Sequence, residues 1–191
     1  MDGRLRDDRR CPVLEPPPAA ALVEAFANTV DLDLGTDDLA APEQVSAFLA
    51  AHGLLDAGTP VTPGEHDRAL RLRAGLREAL GANVGDTPDP GAVAAADEVL
   101  RGLPVLVAVG GDGPVLSPGP GLTPAEAALA RIALAWSALV TTGDAARLKR
   151  CAEHSCGWVF WDVSKNRSRR WCSMRVCGNR NKARAYAARQ R

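Results

Sequence analysis

The stretch CAEHSCGWVFWDVSKNRSRRWCSMRVCGNR, residues 151–180, holds four of the chain's five cysteines. Four residues separate Cys151 from Cys156, four separate Cys172 from Cys177, and fifteen lie between the two pairs. Zn²⁺ prefers a tetrahedron of thiolates, and two closely spaced pairs supply one with little chain. The spacing therefore predicts one zinc ion bound by all four cysteines, in a closed site of structural rather than catalytic type.

The residues between and after the cysteine pairs predict a small fold around this ion. Gly157–Asp162 is rich in aromatic residues and predicts a strand, and Arg169–Trp171 is expected to return beside it as a hairpin. Asn179 is expected to cap a helix that runs to Ala188. This order predicts a treble-clef-like zinc module over residues 147–191. Its apolar surface is small, and we expect metal binding to drive its folding.

The charge of the chain is divided unevenly between its two parts. The whole chain has 23 basic and 23 acidic residues, but residues 147–191 contain 13 basic and only 2 acidic ones. A basic segment beside an acidic one predicts binding to nucleic acid. The candidate nucleic-acid-binding residues are Lys165, Arg167, Arg169, Arg170, Arg175, Arg180, Asn181, Lys182 and Arg184.

Three other interpretations of the basic segment remain open. A zinc ion with four thiolates has a net charge of −2, which nearby arginines would balance, although about two of them suffice. The segment could dock on the acidic part of its own chain. An RNA-binding or ribosome-associated module would instead use exposed aromatic residues to stack on single-stranded bases.

Residues 19–146 predict one mostly helical domain. Thr62-Pro63-Gly64-Glu65 and Thr123-Pro124-Ala125-Glu126 are both capping boxes with proline at the first helical position. The other predicted elements are a helix over Ala19–Thr29, a helix from Pro42, a helix over Ala92–Leu100, and a β-hairpin that joins Val105–Val109 to Val115–Leu116. The predicted fold class is α+β, with a mostly helical N-terminal domain followed by the four-cysteine module.

The remaining features set limits on location and activity. Residues 1–18 predict a flexible lead-in without a secretory signal, in which Cys11 is incidental. No apolar run reaches the roughly 20 residues of a membrane helix, which favours a cytoplasmic protein without membrane contact. No phosphate-binding loop or activated nucleophile is recognisable, and we expect no enzymatic activity. His154 is expected to be a solvated loop residue rather than a metal ligand.

Two parts of the chain resemble known families. Asn166–Met174, followed by Cys177-Gly178-Asn179-Arg180, closely resembles the CGNR zinc finger over roughly residues 148–191. The preceding part resembles the ABATE domain through Phe26-Ala27-Asn28-Thr29-Val30, the arginine-rich helix Asp67–Leu80, and Leu122–Trp136. The resemblance implies a bacterial, stress-induced transcription regulator whose finger binds zinc and DNA and which is not an enzyme. No ligand-binding residues of the ABATE part are implied.

Together, the residues and the resemblance predict a zinc-dependent regulator that binds double-stranded DNA. The acidic helical domain is expected to sense a signal or to mediate assembly, with a homodimer and an unknown small-molecule ligand as open possibilities. In the alternative hypothesis the helical domain binds a small molecule and the finger is only structural.

Overall fold

A computed structural model describes residues 15–110 and 115–190. They form helices α1 (Pro18–Ala27), α2 (Pro42–Ala51), α3 (Pro63–Ala82), α4 (Pro90–Arg101), α5 (Pro124–Thr142) and α6 (Asn179–Arg189). The strands are β1 (Val30–Asp31), β2 (Thr36–Asp37), β3 (Val105–Val107), β4 (Leu116–Pro118), β5 (Leu148–Arg150) and β6 (Val159–Trp161). Of the predictions above, most of the lead-in with Cys11, part of the hairpin turn, and Arg191 lie outside the described residues.

The helix starts follow the sequence signals. The Thr62 and Thr123 side chains accept hydrogen bonds from the backbone N–H groups of Glu65 and Glu126, as the two capping boxes predict. Helix α5 ends at Gly143, whose φ of 75° lies in the left-handed region that favours glycine. The predicted hairpin also forms, with Val105 opposite Pro118 and Val107 opposite Leu116.

The main core lies between α1, α2, α3 and α5, with Phe26, Leu49, Leu72 and Ile132 at its centre. Helix α5 supplies much of this core. It is long and apolar enough to cross a membrane by length and composition alone, unlike the other described helices. Because Leu129, Ile132 and Leu139 are buried against neighbouring elements, we interpret α5 as the core helix of a globular domain.

The hairpin at the start of the cysteine segment belongs to a second core. Leu148 of β5 and both Val159 and Trp161 of β6 pack with Leu80 of α3 and Leu139 of α5. Strand β6 pairs antiparallel with β5, with Leu148 opposite Trp161 and Arg150 opposite Val159. The predicted pairing of this strand with Arg169–Trp171 is therefore wrong, because β5 pairs with one edge of β6 and Asn28 bonds the backbone of Val159 on the other.

Candidate metal centre and nucleic-acid interface

The four cysteine sulfurs converge at one point between the β5–β6 hairpin and the start of α6. All four Sγ atoms lie within 4.8 Å of one another. Two separations, Cys156 to Cys172 and Cys172 to Cys177, are 3.7 Å each. With Zn–S bonds of about 2.3 Å, a tetrahedral site has sulfurs about 3.8 Å apart. The cluster therefore fits a zinc ion, and its sulfurs are too far apart for disulfide bonds.

The environment of the thiols explains why the cysteines can be ionised together only with a cation bound. Burial raises the pKa of Cys177 to about 11. Burial also raises the pKa of Cys172, and the neighbouring Cys151 and Cys156 raise it further. Four thiolates cannot share so small a volume without a compensating charge. A bound divalent ion supplies that charge and keeps the cysteines ionised.

The turn after Cys156 packs tightly against the helical domain. Gly157 has a φ of 57°, and a Cβ atom there would lie 2.7 Å from Leu32 Cδ1 and 3.0 Å from Arg77 Nη2. Both the backbone conformation and the available space therefore require glycine. His154, in the same loop, is exposed and is not part of the sulfur cluster.

Polar contacts made by three side chains join the β5–β6 hairpin and its turn to the helical domain. Asn28 holds the edge of β6, since its Nδ2 donates to Val159 O at 2.9 Å and its Oδ1 accepts from Val159 N at 2.8 Å. Arg77 Nη2 donates to Gly157 O at 2.9 Å. Arg150 pairs with Glu78 and lies 3.3 Å from Asp86. The hairpin is thus fixed by specific hydrogen bonds as well as by its apolar side.

A buried ion pair organises the basic loop that follows β6. Lys149 Nζ lies 2.8 Å from Asp162 Oδ2, with both side chains almost fully buried. Lys149 also donates to the carbonyl oxygens of Arg167 and Arg169, while Asp162 accepts from the backbone N–H groups of Ser164 and Arg169. Burial opposes ionisation of Asp162, but these bonds outweigh it and lower its pKa to about 2. The loop therefore has a defined shape.

Helix α6 continues from the second cysteine pair and is exposed along its whole length. Asn179 lies within the helix rather than at its N-cap, which corrects the prediction. The preceding π-helical turn, Met174–Gly178, is capped instead by the Ser173 side chain. Arg184 pairs with Glu153, a fully buried carboxylate in the turn between Cys151 and Cys156. This pair ties the helix to the metal centre.

The structure places the nine candidate nucleic-acid-binding residues in different situations. Five of the basic candidates are exposed and have no carboxylate partner among the described residues, namely Lys165, Arg167, Arg170, Arg175 and Lys182. Asn181 is also exposed. Arg169 is half-buried, with its guanidinium 4.9 Å from the centre of the Phe160 ring and its Nη2 2.7 Å from Cys172 O. Arg180 lies 3.0 Å from Asp33, and Arg184 pairs with Glu153. Arg169, Arg180 and Arg184 are thus engaged within the chain.

Comparison with known families accounts for both parts of the chain. Residues 20–143 match the ABATE family, described as "Putative stress-induced transcription regulator". The chain belongs to the ABATE family. The CGNR zinc finger matches residues 147–190, in the N-to-C order that the resemblance implies. No curated protein matches the chain.

Sequence reasoning overlooked several residues that shape the CGNR finger. The only acids of residues 147–191 are Glu153 and Asp162, and both are buried and paired with cations. The isolation of these two acids in so basic a segment was the sequence signal that could have identified them as structural residues. The roles of Asn28 and Arg77 in the ABATE domain carry no such local signal, because their partners lie far away in the sequence.

Proposed function

We propose that the chain is a zinc-dependent DNA-binding transcription regulator, with one structural zinc ion in its CGNR finger. The observation that carries this proposal is helix α6, which buries none of its residues yet follows directly from the metal centre. A helix that buries none of its residues gains little stability from packing in its own chain, which suggests a partner outside it. An α-helix fits the major groove of duplex DNA.

Charge favours a polyanion as that partner. One side of α6 carries Asn181, Lys182, Tyr186 and Arg189, which line a shallow cleft of about 400 Å³. The ordered loop after β6 adds Lys165, Arg167 and Arg170. Cations such as these bind phosphates and release counterions from the duplex. Asn181 is of a type that can pair with adenine in the major groove.

The proposal is tested by the anisotropy of labelled duplex DNA, with full-length zinc-loaded protein and increasing salt. The double variant Lys182→Ala/Arg189→Ala is expected to bind roughly tenfold or more weakly at 0.15 M salt, because two phosphate contacts are lost. The slope of log K against log salt should fall by about 1.8. The matched control is Arg101→Ala/Arg131→Ala in the ABATE domain, which should bind like the wild type. Equal affinities for both double variants would contradict the assignment.

Binding to single-stranded RNA is a second candidate, because two aromatic side chains are accessible. Trp158 is 38% exposed and Tyr186 is 68% exposed, although Phe160 and Trp161, the aromatic residues of β6, are buried. Exposed rings of this kind stack on unpaired bases. Duplex DNA, single-stranded DNA and RNA of one sequence are therefore compared in the same assay. Preference for a single strand, lost in Trp158→Ala, would favour this alternative.

We propose that the protein acts in the cytoplasm by binding rather than by catalysis. In the described residues, a cleft of about 440 Å³ is lined by Glu43, Ser46, Ala47, Gly58, Thr59, Pro60 and Val61. Its lining has one carboxylate and the hydroxyls of Ser46 and Thr59, and Ser46 already donates to Thr59 O at 2.6 Å. No histidine, lysine or cysteine among the described residues lines this cleft to activate a nucleophile, so it supports no familiar reaction. This cleft is the place to test for the small-molecule signal that the ABATE domain would sense.

Assembly is the other role proposed for the ABATE domain. The β3–β4 hairpin exposes apolar side chains on both faces, with Val107 69% and Val115 65% exposed. Residues 102–125 carry a single charged side chain, Asp112, which makes this surface unsuitable for nucleic acid. An isolated two-stranded hairpin is marginal by itself, and pairing with a second copy would complete its sheet.

A homodimer formed through this hairpin predicts a specific change in mass. Val107→Lys is expected to convert a dimer into a monomer, because an ammonium group would be placed in an apolar interface. Sedimentation equilibrium of wild type and variant measures the change, with Val140→Lys, at an exposed position of α5, as the control. A wild-type protein that is monomeric at micromolar concentration would exclude the dimer.

A further inference from the structure

The zinc centre rests on the ABATE domain through one buried arginine. Arg77 of α3 is only 7% exposed. Its Nη1 donates to Ala27 O at 2.5 Å, and its Nη2 donates to Gly157 O at 2.9 Å. Ala27 is the last residue of α1, and Gly157 directly follows the metal ligand Cys156. The guanidinium thus bridges a helix end in one domain and the cysteine turn of the other.

Arg77 differs from the other buried arginines in having no carboxylate partner among the described residues. Arg73, one turn earlier on α3, forms two bonds of 2.6 Å with Asp37, and Arg150 pairs with Glu78. The two nitrogen atoms of Arg77 that donate hydrogen bonds, Nη1 and Nη2, both donate to backbone carbonyl oxygens instead. A buried cation without a paired anion is costly, and a negative group nearby would offset that cost.

The contact of Arg77 with Gly157 O, next to Cys156, points to the cysteine cluster as that negative group. Burial lowers the pKa of Arg77 to about 10, and the cations Arg150 and Arg73 act in the same direction. The carboxylate of Glu78 and the thiolate of Cys156 oppose this shift. Glu78 is already bound to Arg150. The remaining anion is the cysteine cluster, which has a net charge of −2 when four thiolates bind one zinc ion.

We propose that Arg77 is a positioning residue of the zinc centre, which fixes the Gly157 turn behind Cys156 and balances the negative charge of the zinc-bound thiolates. The proposal rests on zinc binding by the four cysteines. Residues outside the ligand shell that orient a ligand commonly change metal affinity by 10- to 100-fold. The ABATE domain would then control how tightly the finger holds its metal, through a residue distant from it in sequence.

Zinc affinity of the full chain, measured by competition with a chelator of known affinity, tests the proposal. Arg77→Met is expected to weaken zinc binding at least tenfold, because both the bond to Gly157 and the positive charge are lost. Arg77→Lys should fall between this variant and the wild type, since its ammonium keeps the charge but does not span both carbonyls. In the cobalt-substituted protein, the thiolate-to-cobalt absorption of Arg77→Met should change in shape.

Arg73→Met is the matched control, because Arg73 is equally buried on the same helix but contacts Thr29 and Asp37 instead of the finger. It should lower stability while changing zinc affinity less than threefold. The proposal would be overturned if the zinc affinities of Arg77→Met and Arg73→Met lay within threefold of each other. A wild-type chain that binds neither zinc nor cobalt would instead overturn the zinc assignment itself.

If Arg77→Met does not fold, the lysine variants decide the question. Amide hydrogen exchange at Gly157 and Val159 in the zinc-loaded protein is expected to be faster in Arg77→Lys than in Arg73→Lys. Equal exchange in the two variants would show that Arg77 does not position this turn, and the proposal would fail.

Discussion

Replacing Cys172 with serine is expected to abolish stoichiometric zinc retention. The Cys172 sulfur lies 3.7 Å from both the Cys156 and the Cys177 sulfur, so its loss removes one of the four corners of the tetrahedron. A serine hydroxyl is not ionised at neutral pH and does not replace the thiolate. Because a structural zinc ion contributes on the order of 10 kcal/mol to folding, affinity should fall by several orders of magnitude. Metal analysis after dialysis against a weak chelator measures this loss.

The remote cysteine provides the control for this experiment. Cys11→Ser removes one thiol from the same chain but leaves the four clustered sulfurs intact, and it should retain one zinc ion per chain. Retention of zinc at wild-type affinity by Cys172→Ser would contradict the four-cysteine site.

Zinc retention is also expected to depend on pH with a defined sign. In the metal-free chain, burial raises the pKa of Cys177 to about 11 and also raises that of Cys172. Zinc must therefore displace protons from these thiols in order to bind. Affinity falls as the pH is lowered, because protons compete increasingly for the sulfurs. Chelator competition at pH 8 and pH 6 measures the difference, and pH-independent affinity would contradict it.

Replacing Asp162 with asparagine is expected to have the largest effect on stability of the substitutions outside the metal ligands. It leaves the Lys149 ammonium buried without its counterion, which costs about 3–5 kcal/mol. For a chain of this size the melting temperature should fall by roughly 10 °C. Thermal unfolding of the zinc-loaded protein measures the change.

An exposed ion pair offers a matched comparison. Asp33→Asn removes the same chemical group from a pair whose side chains are 50% and 43% exposed, and its effect on stability should be much smaller because solvent screens exposed pairs. Similar losses for the two variants would contradict the assigned role of the buried pair.

The effect of Asp162 should also vary with pH. Its pKa is lowered in the folded state from 3.8 to about 2. Its contribution is therefore present above about pH 4 and is lost as the pH falls towards 2. The stability difference between wild type and Asp162→Asn should shrink over this interval, whereas a constant difference would exclude the titration.

Local signals predicted much of the fold. Thr62 and Thr123 cap their helices because each hydroxyl bonds a backbone N–H only three residues away. The hairpin from Val105 to Pro118 follows from β-branched residues on either side of a glycine-rich turn. The predicted cysteine cluster is present for a similar reason, since the short loop within each pair brings its two sulfurs together.

Predictions failed where a residue's partner lies far along the chain. The sequence suggests that Arg169–Trp171 pairs with the aromatic strand, yet β5 takes that place because Leu148 and Trp161 share a core with α3 and α5. Arg180 and Arg184 resemble the other basic residues in sequence, but the fold places each beside a carboxylate. The spacing of residues along the sequence does not show which of them lie close together in the fold.

The sequence by itself determined the helix boundaries set by capping, the four-cysteine cluster and the concentration of positive charge after residue 146. These features depend on neighbours a few residues apart, or on composition alone. Only the tertiary structure decided which cations remain exposed, which acids are buried, and how Asn28 and Arg77 hold the finger against the ABATE domain. The physical reason is that burial and ion pairing depend on the packing of residues distant in sequence, such as Arg77 and Gly157, whose contact exists only once both domains have folded together.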